Sequence, residues 1–325
     1  MTKIIGRLNS VGYGKETTRG TAVGASIWVP WMEVEYDDVV ELLDNEASIA
    51  RLENTDAHAL AFKSGEVKLK SKIKDKNIGY PLLALFGTVA SVAKSAPNAA
   101  VYDHTFSVQQ GVSHQSLTIS FKGPNEDLAM ANSVLSKFVI SCKYGEYAMF
   151  ETEFMGKPSA SATQTVSIVQ ENDFFSKHAT FKRAATQALL TAASAIAIRE
   201  FKIEFDQKAF YEQVLGLNTP NDVLNQDWGV KGSVTLIHND KTFNTLMTDA
   251  TYQALRFDFQ NTDVTIGTSA NPGLQIDLHK VSILNYKRKQ SLNNIVEESF
   301  DFIARYSLTD SKMVTAVLTN TQSSY

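Results

Sequence analysis

Val67-Lys68-Leu69-Lys70-Ser71-Lys72-Ile73-Lys74 alternates side-chain character at period two. A β-strand sends successive side chains to opposite faces, so this stretch predicts one buried face and one face covered by lysines. The pattern recurs at Ser116-Leu117-Thr118-Ile119-Ser120-Phe121, Phe201-Lys202-Ile203-Glu204-Phe205 and Val234-Thr235-Leu236-Ile237-His238. It recurs again at Leu274-Gln275-Ile276-Asp277-Leu278 and at residues 299–306. Asn, Asp, Gly, Ser and seven prolines punctuate these runs, as strand connections require. The chain therefore reads as mainly β.

Helical signals are few. Gly79-Tyr80-Pro81-Leu82-Leu83-Ala84-Leu85-Phe86-Gly87 has proline near its start and glycine just past its end, which suits a short helix. Lys241-Thr242-Phe243-Asn244-Thr245-Leu246-Met247 suits a second. The alanine-rich stretch 184–197 is broken by Thr and Ser and reads as a connection.

The order of elements repeats. In the first half, strand 67–74 and helix 82–86 precede strands near Phe106, 117–121, 138–143 and 149–154. In the second half, strand 234–238 and helix 242–247 precede strands at 257–259, 274–278, 281–286 and 300–306. Comparable strands open each half: Met32-Glu33-Val34-Glu35-Tyr36 and Phe201-Lys202-Ile203-Glu204-Phe205. This organisation predicts a β domain over 1–157 with an N-terminal arm over 1–26. A connection over 158–197 and a similar β domain over 198–325 follow.

Composition narrows the function. With 325 residues the chain can bury roughly three quarters of its unfolded surface. A formal charge of −4 argues against a globally basic nucleic-acid binder. A single cysteine, Cys142, cannot form an internal disulfide or a multi-cysteine metal site. Apolar runs are short and the first residues lack a secretory core, which predicts a soluble chain without a transmembrane helix.

No chemical constellation outweighs its plainer reading. Gly12-Tyr13-Gly14-Lys15-Glu16-Thr17 lacks the spacing, preceding strand and following helix of a phosphate loop, and reads as a flexible N-terminal segment. His58, His104, His114, His178, His238 and His279 lack metal-site spacing and read as surface or turn residues, though His104 and His114 could meet across a hairpin. Cys142 reads as a small buried hydrophobe. Glu151/Glu153 and Glu297/Glu298 read as exposed strand carboxylates, not an acid–base pair. The acidic run 33–41 and the lysines of 68–74 read as solvated faces or contact surfaces. Ile27-Trp28-Val29-Pro30-Trp31-Met32 reads as core strand or as a subunit-contact arm, and residues 320–325 as surface. No catalytic residue, cofactor or metal is expected, and the protein is not expected to be an enzyme.

The joint order of motifs resembles the tail tube proteins of long, non-contractile-tailed bacteriophages. The resemblance is carried by Gly14-Lys15-Glu16-Thr17-Thr18-Arg19-Gly20-Thr21, Trp28-Val29-Pro30, the alternating strand 67–74 and Leu82-Leu83-Ala84-Leu85-Phe86-Gly87. Tyr102-Asp103-His104-Thr105-Phe106, Ser116-Leu117-Thr118-Ile119, Leu215-Gly216-Leu217-Asn218-Thr219-Pro220 and Val230-Lys231-Gly232-Ser233 extend it across nearly the whole chain. The stretch 184–197 has no counterpart in it.

What the resemblance implies is a structural virion protein made in the host bacterial cytoplasm. It implies two tail-tube β-sandwich/barrel domains, each lending strands to the inner β-barrel of a ring. Rings of three duplicated chains, or of six, would stack into a hollow tube. Tape-measure, initiator and terminator proteins would be partners, no membrane would be involved, and double-stranded DNA would pass without specific binding. The lumen should then be neutral to acidic, and loops 40–62 and 88–100 should make subunit and ring contacts. The competing readings are a terminator or baseplate hub of the same fold, and a carbohydrate- or surface-binding β-sandwich.

Overall fold

The computed structural model describes residues 3, 5–53 and 55–325. The first-half strands are β1 (Ser10–Lys15), β2 (Ile27–Val29), β3 (Trp31–Asp44), β4 (His58–Lys72), β5 (Gly87–Ala93), β6 (Tyr102–Val108), β7 (Leu117–Lys122), β8 (Asp127–Lys143) and β9 (Met149–Gly156). There follow β10 (Ala160–Ser161), β11 (Ala179–Ala184), β12 (Ala195–Ile196), β13 (Ile198–Asp206), β14 (Phe210–Glu212) and β15 (Asp222–Leu224). The last are β16 (Gly229–Ile237), β17 (Gln253–Gln260), β18 (Gly273–Lys289), β19 (Glu297–Ala304) and β20 (Val314–Asn320). Helices α1 (Gly79–Phe86) and α2 (Thr242–Thr248) follow β4 and β16. The protein is mainly β.

One long antiparallel sheet runs through both halves in the order β3–β4–β9–β8–β13–β16–β19–β18. Two shorter layers cover one of its faces. The first pairs β2–β1–β7–β8 with β10 beyond. The second pairs β12–β11–β17–β18–β20–β6–β5. Strands β8 and β18 belong to both layers: each has 17 residues and leaves a short sheet to enter the long one. Residues 274–278 and 281–286, expected as two strands, are thus one. The change of sheet at His279–Lys280 breaks the burial alternation and shifts the register against β17 without ending the strand.

Bulges recur at matching places. The register slips between Trp31 and Glu33 on β3, and between Ile198 and Glu200 on β13. It slips near Leu135 on β8 and Leu284 on β18, and again near Leu117 on β7 and Gln253 on β17. An extra residue bends its strand and sharpens the local twist, which turns a long strand from one layer into the next.

The core is aromatic and lies between layers. Tyr13 of β1 meets Phe154 of β9 at 5.8 Å between centroids, and Phe257 of β17 meets Phe201 of β13 at 4.8 Å. Every residue of α1 is buried. Gly87 ends it at φ 82°, a left-handed conformation that glycine adopts without Cβ strain. Phe86 packs on both Phe106 and Phe205, bridging the halves.

Three expectations are corrected here. Residues 10–15 are not part of a flexible arm: β1 is buried between β2 and β7. A Cβ on Gly12 or Gly14 would lie 2.8 Å from the Ile27 carbonyl or 2.5 Å from that of Gly24. The glycine pair therefore admits crossing backbone, not phosphate. The stretches 40–62 and 88–100 are not loops throughout: β3 and β4 form a long hairpin whose arms take in 40–44 and 58–62, and β5 occupies 87–93. Their apolar residues other than Phe62 are mostly exposed, so burial alternation could not mark them. Finally, the terminal segment is on the surface only between its ends: Thr321, Ser323 and Ser324 are exposed, whereas Asn320 and Tyr325 are buried, the Tyr325 hydroxyl accepting from Asn320 Nδ2 at 2.6 Å.

Candidate functional site

The face of the long sheet away from the core is mainly polar, with Val139, Met149, Ile237 and Ile303 among its charges, and its charge alternates by strand. Strand β3 presents Glu33, Glu35 and Asp37, and β4 answers with Lys70 and Lys68 directly opposite the first two. Strand β9 presents Glu151 and Glu153; β8 presents Lys137 and Lys143. Strand β13 is mainly acidic, with Glu200, Glu204 and Asp206 around Lys202, and β16 carries Lys231. Strand β19 carries Glu297 and Asp301, and β18 ends the sheet with Lys287 and Lys289. Carboxylates outnumber cations on this face.

Ion pairs bind neighbouring strands across it. Lys70 Nζ lies 2.6 Å from Glu151, Lys231 Nζ 3.0 Å from Glu204, and Lys137 Nζ 3.6 Å from the same carboxylate. Burial alone would raise the Glu204 pKa, but Lys231 and Lys137 hold it below the ordinary carboxylate range. Each exposed pair contributes little to stability, well under ~1 kcal/mol. Their sign pattern still sets which strands may lie side by side.

Both ends of this sheet are open among the described residues. Strand β3 pairs only with β4, and the 287–289 end of β18 pairs only with β19. An open edge exposes a ladder's worth of unpaired backbone groups and invites another strand. Beyond Gly65, β4 loses β9 as a neighbour, and the β3–β4 hairpin continues as a two-stranded ribbon. The ribbon exposes Val40, Leu42, Leu43 and Leu60, with Ile49 and Leu52 at its tip. Its base is braced by the β14–β15 hairpin: Phe62 packs on Tyr211 at 5.7 Å, and Lys63 N donates to Asn218 O at 2.8 Å. The molecule exposes 16,747 Å², against roughly 13,000 Å² for a compact monomer of its mass.

The residues weighed for chemistry are dispersed or structurally occupied. His104, His114, His178 and His279 are buried, which corrects their reading as surface residues. His104 lies between Ser91 Oγ and Asn320 Oδ1, whereas His114 lies between the carbonyls of Leu85 and Gln109, so the two do not form one site. Among the described residues no group of three or more His, Cys, Asp or Glu side chains is placed to hold a metal ion. Cys142 is buried on β8, and burial pushes its thiol up to about 11. Glu298 is buried against His238 and Tyr286, while Glu297 lies on the polar face, so that pair is split between two environments. Of Ile27–Met32, β2 is core and Met32 is exposed.

The glycine-rich motif has a clear structural use. Glu16 is buried and accepts from Gly20 N, Ser116 Oγ, Thr118 Oγ1 and Asn132 N at 2.6–3.0 Å. Arg19 pairs with Asp222 at 2.6 Å and donates to the carbonyls of His114 and Val223. Two residues of 14–21 thereby tie β1 to β7, β8 and β15. Periodicity could not reveal this, because it marks burial of apolar groups, not of a paired charge.

These features suit assembly better than catalysis. A family model described as phage tail tube protein matches residues 6–304. The chain belongs to the phage tail tube protein family. It is a structural tail protein, a component of the virion. Comparison with curated proteins finds no significant match. No helix among the described residues is long and apolar enough to cross a membrane. Membership of this family implies self-association into stacked rings.

Proposed function

We propose that the chain builds the hollow tail tube itself, with the long sheet as its inner wall and the polar face toward the bore. The observation that carries this is the eight-stranded sheet with two open edges and a charged, unpacked face. Three chains would supply 24 strands. At about 4.8 Å spacing and ~40° tilt these close at a backbone diameter near 48 Å. Side chains reduce that to a bore that still admits a duplex of ~20 Å. Six chains would need 48 strands and a diameter near 96 Å, far wider than DNA passage requires. The geometry therefore favours three.

The excess of carboxylates on the wall suits DNA passage, because lysine–phosphate contacts would retard the polyanion through counterion release. The matching bulges and strand order support two copies of one unit, the second opening at β11 and so taking in part of the 158–197 connection. Synthesis in the bacterial cytoplasm fits a chain with one buried thiol. The β3–β4 ribbon, apolar at its tip, is the contact between successive rings.

Negative-stain electron microscopy of purified protein at high concentration tests this reading. The expected images are hollow rings or tubes with three-fold averages and a six-lobed outline. Solid particles without a channel, even after addition of a tail-initiator complex, would refute it.

A further inference from the structure

The joint between the two halves specifies the joint between two chains. One cross-strand row reads Glu33–Lys70–Glu151–Val139 and then crosses from β8 to β13 at Glu204. The second half repeats that row as Glu200–Thr235–Ser299–Lys287 and stops at the open edge of β18. The position equivalent to Glu204 on β3 is Asp37: the spacing from Glu33 to Asp37 equals that from Glu200 to Glu204. Likewise Lys202 faces Ser141 across the internal joint, and their counterparts are Glu35 and Lys289.

We propose that β18 of one chain pairs antiparallel with β3 of a second copy of this chain, with Lys287 opposite Asp37 and Lys289 opposite Glu35. This rests on the tube reading above and fixes its register. Three observations converge. The internal β8–β13 joint is a template made by the same two kinds of strand. The internal joint also sets a basic strand against an acidic one, Lys143 facing Glu200 and Lys137 facing Asp206. The strand-by-strand alternation of sign continues around a closed wall only if basic β18 meets acidic β3. Tyr286 N–H is already taken by Met247 Sδ at 3.3 Å, so the intermolecular ladder runs from Lys287 outward. A slip of one residue would turn Lys287 and Lys289 away from the carboxylates; a slip of two toward the hairpin tip would set Lys287 against Val39, and a slip of two the other way, onto Glu35 and Glu33, departs from the β8–β13 template.

Disulfide trapping in a Cys142→Ala background tests the register. Directly opposed residues bring Cα atoms about 4.5–5.5 Å apart, within disulfide range, whereas diagonal neighbours at about 7–8 Å lie beyond it. Glu35→Cys with Lys289→Cys should give, under oxidation, covalent oligomers ending at the ring number on a denaturing gel. Glu35→Cys with Lys287→Cys, which reports a slip of two, and Glu35→Cys with Arg288→Cys, on opposite faces, should stay monomeric. Cross-linking by either of those pairs instead, or by none while the unaltered protein forms tubes, would overturn the register and leave the tube reading standing. Absence of rings and tubes from the unaltered protein, with initiator present, would overturn both.

Charge reversal at these exposed positions gives a second measurement, with thermal unfolding of each variant checking that Glu35→Lys opposite Lys68 and Lys289→Glu opposite Glu297 leave the chain folded. Lys287→Glu with Lys289→Glu should abolish assembly, and adding Glu35→Lys and Asp37→Lys to the same chain should restore it. Failure of the fourfold variant to recover tubes would count against the pairing.

Discussion

At the scale of single residues, Gly14 and Glu171 test the interior most sharply. A Cβ on Gly14 would meet the Gly24 carbonyl at 2.5 Å, and backbone cannot swing aside as a side-chain tip can. Gly14→Ala should cost about 3 kcal/mol or more, read as a fall in unfolding temperature, with Gly24→Ala, which meets nothing, as the mild control. Glu171 is held mostly out of water, and burial raises its carboxyl from the ordinary 4.5 to about 7 despite nearby Lys74; its Oε1 has no hydrogen-bond partner. The folded state thus holds this proton more tightly than the unfolded state. The stabilisation is complete below about pH 4.5 and is lost as pH rises through about 7. Glu171→Gln should raise the unfolding temperature at pH 8 by a few degrees and flatten its pH dependence between 5 and 8. An unchanged pH profile would show that Glu171 ionises normally. Residue identity alone could not separate these two positions from other glycines and glutamates, because nothing in the sequence states what lies across the fold.

At the scale of elements, the β3–β4 ribbon is the part whose loss the fold should tolerate. From Val39 outward β3 pairs only with its hairpin partner, and Val40, Leu42, Leu43 and Leu60 face solvent. Replacing residues 43–59 with a two-residue Asn-Gly turn, which matches hairpin twist, should leave the circular dichroism and thermal unfolding nearly unchanged. It should yield isolated rings in place of tubes; unaltered tubes would remove the ribbon from ring stacking. Cutting back to Phe62 is predicted to be damaging, because that ring is buried against Tyr211. The strands at 67–72, 201–205 and 234–237 were legible in the sequence because each lies on a sheet with one wet and one dry face; 117–121 is buried on both faces and was legible because Thr118 and Ser120 keep its second face polar. The outer ribbon, β5 and the continuity of β18 were not, since strands exposed on both faces or changing sheets lose the period-two signal.

At the scale of the whole molecule, assembly should depend on salt. The proposed contacts of Lys287 and Lys289 with Glu35 and Asp37 lie on an exposed face, and the Debye length falls from ~10 Å at 0.1 M to ~3 Å at 1 M. Rings should therefore form more slowly, or at higher protein concentration, as salt rises, by light scattering. Ribbon-mediated stacking, being apolar, should weaken far less. Equal sensitivity of both steps would argue that the joint is not electrostatic.

By itself the sequence determined the class of fold, the short capped helix ending at Gly87, the recurring order of elements and the absence of a recognisable catalytic pattern. These are local matters: periodicity, caps and spacing are written within a few residues of one another. Only the tertiary structure decided that the two halves share one sheet, that β8 and β18 each serve two layers, and that Glu16, Arg19 and Tyr325 are internal ties. It alone placed the acidic run of β3 and the basic end of β18 at opposite edges of the same sheet. Those facts depend on pairings and ties between residues far apart in the chain, and such contacts leave no periodic trace in the sequence that forms them.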